Sequence, residues 1–360
     1  MTLVVVLPSD SLGVSLSSNK VVVLMGGEST EHQVSLRSGL TVTKNLAKTQ
    51  WQPVPVIVGL DGRFAFPKLE TFDLNQVDSL PYVELGAAIS KIATLEPACV
   101  FLALHGLYGE DGRFQALCDL MRLPYVGADV IGSAVAMDKW LAKAIYNTHN
   151  IPTPDAVLLA LDDLDPDGLW QDRVIDEIGL PCVVKAPRQG SSLGVYIVRQ
   201  QAKLSDAVKE VFKLGDRVMI EAFCPGRELS VSVLEDPTTG RPKALAPIEI
   251  VVKKREFFDY EAKYDAAETD EICPAPIDEQ QTKAVSRLAE AAHRALMLSG
   301  FSRTDFMLTA SGELMTLETN TIPGLTDVSL FPKAAAVAGL SFPELVDGLV
   351  RQAIRIGRRG

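Results

Sequence analysis

RTDFMLTASGELMTLETNTIPGLTDVSL, residues 303–330, decides how the rest of the chain is read. Two runs of mixed polar and apolar residues meet at Ala310, Ser311 and Gly312, the small residues that a tight reversal needs, so the stretch predicts a β-hairpin. Side chains alternate between the faces of a strand. Arg303 and Asp305 therefore share one face of the first strand, and Glu318 and Asn320 share one face of the second. Asp305 stands five residues before the turn's first residue and Glu318 six after its last, so the hairpin brings two carboxylates and an amide oxygen together. Hard oxygens gathered in this way suit Mg²⁺, which takes octahedral oxygen ligation from one or two carboxylates, waters and nucleotide phosphates. Pro323 and Gly324 then open a loop whose backbone amides can approach a charged group. An acidic pair on a strand is ordinarily a solvated face. Five functional residue types converging on one hairpin, Gly324 included, favour a site.

With 360 residues and 47% apolar content the chain has material for two or three domains with buried cores. A net charge of −11 argues against a nucleic-acid or acidic-membrane binder, either of which needs a basic face. Small anions remain possible ligands, since scattered Lys and Arg can build a local positive site. Five cysteines without metal-ligand spacing fit reduced thiols in a cytoplasmic protein and argue against a zinc centre. The first twenty residues hold an apolar run but no basic residues before it, so they read as an extension and not as a signal peptide. No segment approaches the roughly 20 apolar residues of a membrane span.

Taken in order, the apolar run 21–25 ends in Gly26 and Gly27, and 34–46 has helical periodicity, which together make a strand–loop–helix unit. Strand signals recur at 53–58 and 98–104, with a helix at 114–121. Alternating strands and helices predict a parallel sheet, with ligands beyond the carboxyl ends of its strands. The loops there carry Glu31 and His105; GxGxxG is missing, so a dinucleotide reading is weak. A helix is expected over 137–147, broken by Pro152 and Pro154. CVVKAPRQGSSLGVYIV, residues 182–198, reads as two short strands around a Gly/Ser loop able to close over phosphates. Lys185, inside the apolar strand before that loop, needs a partner to be worth burying. Residues 217–224 and 228–234 are further strands, whose connection suits an adenine slot. The polar stretch 253–272 is expected to be a functional loop. A helix over 278–299 is expected to end at Gly300, with His293 on its surface. Ser341 and Glu344 make a capping box for a terminal helix that buries Leu345, Leu349, Val350 and Ile354.

Lys139, Lys185, the Gly/Ser flap, the adenine slot and the acidic hairpin together describe phosphoryl transfer, without a P-loop or protein-kinase signature. The runs GGESTEHQVSLRSG, HGLYGEDG, MDKW, VVKAPRQGSSLGV, DYEAKY, RTDF and ETNTIPGLTDVSLFP, in this order and spacing, resemble the D-alanine–D-alanine ligases of the ATP-grasp superfamily over about residues 20–355. Each motif alone is modest, but seven in register are specific. Two positions depart from the family pattern: Ala186 follows the lysine where a proline is expected, and Thr304 stands where an apolar residue is commoner.

The resemblance implies an α/β chain of ATP-grasp fold, a Rossmann-like parallel-sheet domain plus two domains gripping ATP. The expected divisions are 1–20 for the extension, 21–136 for the substrate-side domain, and 137–227 and 228–360 for the central and C-terminal ATP-grasp domains. It implies ligation of two D-alanines through a D-alanyl phosphate, for peptidoglycan precursors. By the resemblance, Lys139, Lys185, Ser192, Glu221, Ala222, Phe223, Cys224, Glu228 and Lys263 contact ATP, while Asp305, Glu318 and Asn320 hold Mg²⁺ or Mn²⁺, two ions. Glu31 holds the first D-alanine's ammonium, supported by Ser191 and Tyr264, and His105 supports the substrate side. Arg303 and the Gly324 amide form the oxyanion site, and Ser329 with Leu330 clasps the second D-alanine's carboxylate. The alternatives are a D-alanine–D-lactate ligase, which Tyr264 opposes, another carboxylate–amine ligase of the superfamily, and a non-catalytic nucleotide-binding module. A homodimer is the expected assembly.

Overall fold

The computed structural model describes residues 18–165, 167–191, 193–253 and 269–357. The expectations that concern 1–17, Ser192, Lys263 and Tyr264 therefore lie outside the described residues.

The first sheet has the order β3-β2-β1-β4-β5, built from β1 (Lys20–Gly26), β2 (Gln52–Val58), β3 (Phe64–Ala65), β4 (Cys99–Leu102) and β5 (Tyr125–Val126). All its pairings are parallel except that of the short edge strand β3. Helices α1 (His32–Leu46), α2 (Leu85–Leu95) and α3 (Arg113–Leu120) connect the strands. Five consecutive residues of β1, Val21 to Met25, are at most 3% exposed, as a parallel strand covered on both faces requires. Pro53 and Pro55 fit in β2 because β3 pairs only with Ile57 and Val58, leaving the edge beside the prolines unpaired. The carboxyl ends of β1 and β4 deliver Glu31 and His105, as expected.

After α4 (Val130–Met137) and α5 (Lys139–Thr148) comes an antiparallel sheet of order β6-β9-β7-β8, made of β6 (Ala156–Ala160), β7 (Cys182–Lys185), β8 (Tyr196–Val198) and β9 (Arg217–Ala222). Helices α6 (Leu169–Ile178) and α7 (Leu204–Phe212) supply its core through Trp170, Leu204 and Val208. The third sheet, also antiparallel, contains β10 (Arg227–Glu235), β11 (Pro242–Ala244), β12 (Ile248–Val252), β13 (Thr269–Ile272), β14 (Phe301–Leu308) and β15 (Leu314–Asn320), with α8 (Glu279–Ala295) against it. Helices α9 (Leu330–Val337) and α10 (Phe342–Gly357) complete the described chain. The capping box forms as expected, Ser341 N–H donating to Glu344 Oε2 at 2.8 Å. Leu345, Leu349, Val350 and Ile354 are buried, in a core shared with the first sheet, and Trp51 Nε1 donates to Asp347 Oδ1 at 2.7 Å.

The β14–β15 hairpin forms around Gly312 at φ +87°, with Arg303 opposite Asn320 and Asp305 opposite Glu318. The unequal arms of the turn are absorbed by a β-bulge: beyond Asp305 the register shifts, so Phe306 faces Thr316. Leu317 is the extra residue, and both it and Glu318 border one cavity.

Four expectations are corrected. The helix expected over 137–147 is split, because Asp138 leaves the helical region at φ −93°, ψ 101° and its carboxylate accepts from the N–H groups of Trp140 and Leu141 to start α5. The helix expected over 278–299 ends at Ala295; Gly300 caps nothing and instead donates its N–H to Glu235 Oε2 at 3.0 Å. His293 is not a surface residue but 1% exposed, with Ser302 Oγ 2.8 Å from Nδ1 and Glu235 Oε1 3.4 Å from Nε2. The end of the expected 253–272 loop is strand β13, whose polar residues sit at a sheet edge. Its backbone pairing, not an apolar pattern, makes it a strand.

Asp138 is 1% exposed and joins three segments, accepting from Arg188 Nε at 2.9 Å and Arg217 Nη2 at 2.7 Å while capping α5. Burial pushes its pKa up, but the hydrogen bonds from Arg217 and Arg188 overcome this and hold it below the ordinary value of 3.8. Its stabilising contribution is therefore present above that value and is lost as pH falls through the lower folded one. Asp138→Asn should lower unfolding stability at neutral pH by about 1–3 kcal/mol, and denaturant titrations should show the gap to wild type closing below pH ~4. A gap that widens on acidification would contradict this.

Candidate active site

A cavity of about 360 Å³ lies between the second and third sheets. Val183, Ile250, Met307 and Leu317 give it apolar walls, and the segment from Glu221 to Cys224, leaving β9, borders it together with Glu228. The amides of Ala222 and Phe223 are already engaged, donating to Asp155 O at 2.9 Å and Pro181 O at 3.1 Å. These two N–H groups are not available to a base, which narrows the adenine reading of this connection.

The charged end of the cavity is a set of buried ions. Lys185, 8% exposed, pairs with Glu221 Oε1, and Lys143 approaches Glu221 Oε2 at 3.0 Å. Burial pushes the Glu221 pKa up, but the two ammonium groups more than offset this and keep it ionised. Lys139 bridges Glu318 Oε2 at 3.0 Å and Gln189 O at 2.7 Å, so the first residue of α5 joins the hairpin to the Gly/Ser loop.

A second cavity of about 40 Å³ opens where the loops of the three sheets meet, bordered by Glu31, Glu110, Ser191 and Asn320 among others. Lys139, Gln189 and Glu318 border both cavities. Glu31 makes no capping bond to α1; Ser191 Oγ donates to its Oε1 instead. Two glycines let other chains approach that carboxylate: a Cβ at Gly106 or Gly190 would stand 2.7 or 2.8 Å from Glu31 Oε2. Glu110 accepts from the N–H of Gly106 at 3.0 Å and of Ile322 at 3.1 Å. Burial, and then the neighbouring Glu31 charge, raise its pKa to about 7.

His105 borders neither cavity. At 4% exposure its Nδ1–H donates to Ile322 O at 3.0 Å, which fixes Nε2 as the acceptor from Ser38 Oγ at 2.9 Å. Ser38 Oγ in turn accepts from Leu325 N–H at 3.3 Å. Burial lowers the histidine's pKa and keeps it neutral. His105 therefore supports the site indirectly, by fixing the 322–325 loop on which Gly324 sits. Gly324, Ser329 and Leu330 also lie outside both cavities, around the start of α9. Ser329 Oγ accepts from Thr326 N–H at 3.0 Å, and a Cβ on Gly324 would reach it at 2.9 Å.

On the hairpin, Arg303 forks onto Asp305, with Nε–Oδ1 at 3.0 Å and Nη2–Oδ2 at 2.8 Å. Burial works to lower the arginine's pKa, yet the Asp305 charge and hydrogen bonds raise it, so it is permanently cationic. Asp305 also accepts from Ser230 Oγ at 2.6 Å and Asn320 Nδ2 at 3.2 Å. Among the described residues no three His, Cys, Asp or Glu side chains cluster as a metal site. The expected set instead consists of two carboxylates and one amide: Asp305 and Glu318 are direct cross-strand partners facing the larger cavity, with Asn320 beside them. Hard oxygens at that edge fit a divalent cation shared with phosphates.

The structure thus brings together Glu31, Ser191 and Asn320 at the smaller cavity and Lys185, Glu221–Cys224, Glu228 and Asp305 at the larger, with Lys139 and Glu318 at both, while Arg303, His105, Gly324, Ser329 and Leu330 border neither. Sequence reading missed Lys143, Asp138, Glu110 and Ser230. Asp138 and Glu110 lie within the quoted runs MDKW and HGLYGEDG, and Lys143 lies one helical turn beyond Lys139; Ser230 had no such signal. Of the two departures from the family pattern, Thr304 has a visible use: its hydroxyl meets Thr319 Oγ1 at 2.9 Å, and Thr319 meets the Tyr146 hydroxyl at 2.7 Å. Ala186 is simply buried.

Comparison with known proteins agrees with the fold. The family model described as D-ala D-ala ligase N-terminus matches residues 20–128, and that described as D-ala D-ala ligase C-terminus matches 145–351. A D-alanine–D-alanine ligase of Desulforudis audaxviator is 40% identical over 93% of this chain and 98% of its own. One from Geobacter sulfurreducens is 37% identical over 93% and 94%. Among solved structures, the D-alanine-D-alanine ligase from Coxiella burnetii superposes with a TM-score of 0.80 at 30% identity, covering 96% of each chain. The VanG D-Ala:D-Ser ligase from Enterococcus faecalis gives a TM-score of 0.80 at 29% identity over 94% of this chain and all of that one. The three sheets are the ATP-grasp fold of these neighbours, and the chain belongs to the D-alanine–D-alanine ligase family.

Proposed function

We propose that the two adjoining cavities are the site at which this ligase joins two D-alanines at the expense of ATP, forming the dipeptide that the family supplies to peptidoglycan precursors. The observation that carries this is the shared border: Lys139, Gln189 and Glu318 line the nucleotide-sized cavity and the small one alike. A small amino acid and a terminal phosphate would meet there.

In this reading ATP lies along Lys185, Glu221, Ala222, Phe223, Cys224 and Glu228, with its phosphates toward Lys139. Glu31, steadied by Ser191, receives the ammonium of the first D-alanine, whose carboxylate oxygen attacks the γ-phosphorus. The bond to the bridging oxygen breaks, ADP leaves and D-alanyl phosphate forms. Mg²⁺ or Mn²⁺, two ions held by Asp305, Glu318 and Asn320, would neutralise phosphate charge when bound. The deprotonated amine of the second D-alanine, its carboxylate clasped at Ser329 and Leu330, then attacks the acyl carbon. The oxyanion faces Arg303 and the Gly324 amide, and collapse expels phosphate while the nitrogen sheds a proton. Ser192, Lys263 and Tyr264 complete the proposed contacts from outside the described residues.

We carry the divisions at 137 and 228 forward as domain boundaries, supported by the three sheets, whose strands occupy 20–126, 156–222 and 227–320. Among the described residues no helix is long and apolar enough to cross a membrane, and all five cysteines are free. These support a cytoplasmic enzyme, which we take to be a homodimer on the general frequency of that assembly. A D-Ala:D-Ser ligase shares the fold with the same TM-score as a D-alanine-D-alanine ligase, so D-serine and D-lactate belong beside D-alanine in any second-substrate assay.

ADP release from ATP and Mg²⁺ should require D-alanine; equal rates with L-alanine would sink the assignment. Arg303→Ala should lower kcat by about 10² or more, the usual effect of losing an oxyanion donor. Near-normal turnover in a coupled assay would remove Arg303 from that role.

A further inference from the structure

Lys143 lies behind the nucleotide cavity, on α5, one turn after Lys139. It is 3% exposed and does not border the cavity, whereas Lys185 and Glu221 do. Its ammonium donates to Thr153 Oγ1 at 2.8 Å and Pro154 O at 2.7 Å, and stands 3.0 Å from Glu221 Oε2. Glu221 is thereby held between two lysines, Lys185 on Oε1 and Lys143 on Oε2. A buried carboxylate paired with one lysine would make a neutral couple, and an anion in the cavity would meet little net charge. Burial lowers the Lys143 pKa and the Glu221 charge opposes this; with both lysines protonated the trio carries one net positive charge, and the lysine bordering the cavity is Lys185.

We infer that Lys143 is a positioning residue for ATP: by offsetting Glu221 from behind, it leaves the charge of Lys185 available to the nucleotide's phosphates. This rests on reading the larger cavity as the ATP site. The lysine also fixes the linker after α5 to the hairpin, since Thr153 Oγ1 donates to Thr316 O at 2.8 Å and Thr316 N to Pro152 O at 2.7 Å. Support of that purely mechanical kind would affect all nucleosides alike, whereas the charge effect scales with the number of phosphates.

The test compares the full-length chain's Kd for ATP with its Kd for adenosine, in wild type, Lys143→Met, Lys143→Met/Glu221→Gln and Lys185→Met. Removing Lys143 should cut the preference for ATP over adenosine by about tenfold, since a unit charge in a partly buried setting acts over the distance to the phosphates. Neutralising Glu221 in the same chain should return the preference to within about threefold of wild type. Any adenine contact made by Glu221 changes both ligands equally and cancels in the ratio. An unchanged ratio in Lys143→Met, or no recovery in the double variant, overturns the proposal when Lys185→Met still lowers the ratio. If Lys185→Met also leaves the ratio unchanged, the reading of the cavity as the ATP site fails, and this inference fails with it.

Discussion

The register of the β14–β15 pair is the constraint on which the site depends. Asp305 faces Glu318 across the strands, and beyond that pair the ladder slips by one residue. A slip at another position would turn Glu318 or Asp305 to the opposite face, where Thr304 and Thr319 now sit. That buried face is itself pinned: Thr304, Thr319 and the Tyr146 hydroxyl form a chain of hydrogen bonds that fastens α5 behind the hairpin. Because α5 is held there, Lys139 at its start reaches Glu318 on the front. Both faces of one strand thus specify the same register. One does so through hydroxyls in the core and the other through charges at the cavity.

Helix α5 and its N-cap collect charges at 138, 139 and 143, of which Asp138 and Lys143 are buried and Lys139 is half-buried, and each has its partner on a different element. Asp138 holds Arg188 and Arg217, Lys139 holds Glu318, and Lys143 holds Glu221. Taking such charges from water costs several kcal/mol per ion, and pairing offsets this only when the geometry is good. The arrangement is weak as a source of stability. As a source of position it is strong, because moving the elements that carry Arg188, Arg217 or Glu221 strands the buried charge of Asp138 or Lys143.

The parallel sheet, the hairpin, the two strands around the Gly/Ser loop and the terminal helix were legible because each couples an apolar pattern to a turn or cap of definite chemistry. Gly312 marks the hairpin, and Ser341 with Glu344 marks the last helix. What escaped reading lacked such a local signal. Strand β13 is polar because it lies at an edge, and its identity comes from pairing with β12. Asp138 is the exception: its capping bonds to Trp140 and Leu141 are local, a signal passed over by reading one continuous helix, and only its arginine partners are distant, 50 and 79 residues away in sequence. His293 looks like a surface residue on its own helix; only Ser302 and Glu235, brought by two strands, give its ring buried partners. Resemblance supplied candidate site residues that periodicity could not, but it did not distinguish those bordering a cavity from those, such as His105, that hydrogen-bond to a neighbouring loop.

The small cavity depends on all three sheets at once. Glu31 follows β1 of the first, Gly190 and Ser191 lie between β7 and β8 of the second, and Glu318 and Asn320 belong to β15 of the third. The carboxylate of Glu31 is where two of these meet most closely, since Gly106 and Gly190 both press against it and Ser191 donates to it. A substrate ammonium at Glu31 would therefore favour the close approach of the flap over any open arrangement, because it adds a cation where a carboxylate and a hydroxyl already converge. On the proposed reading, an acyl phosphate would form beside Lys139, which borders both cavities. In the proposed reading, recognition of the first substrate would itself help to exclude water, which such an intermediate needs.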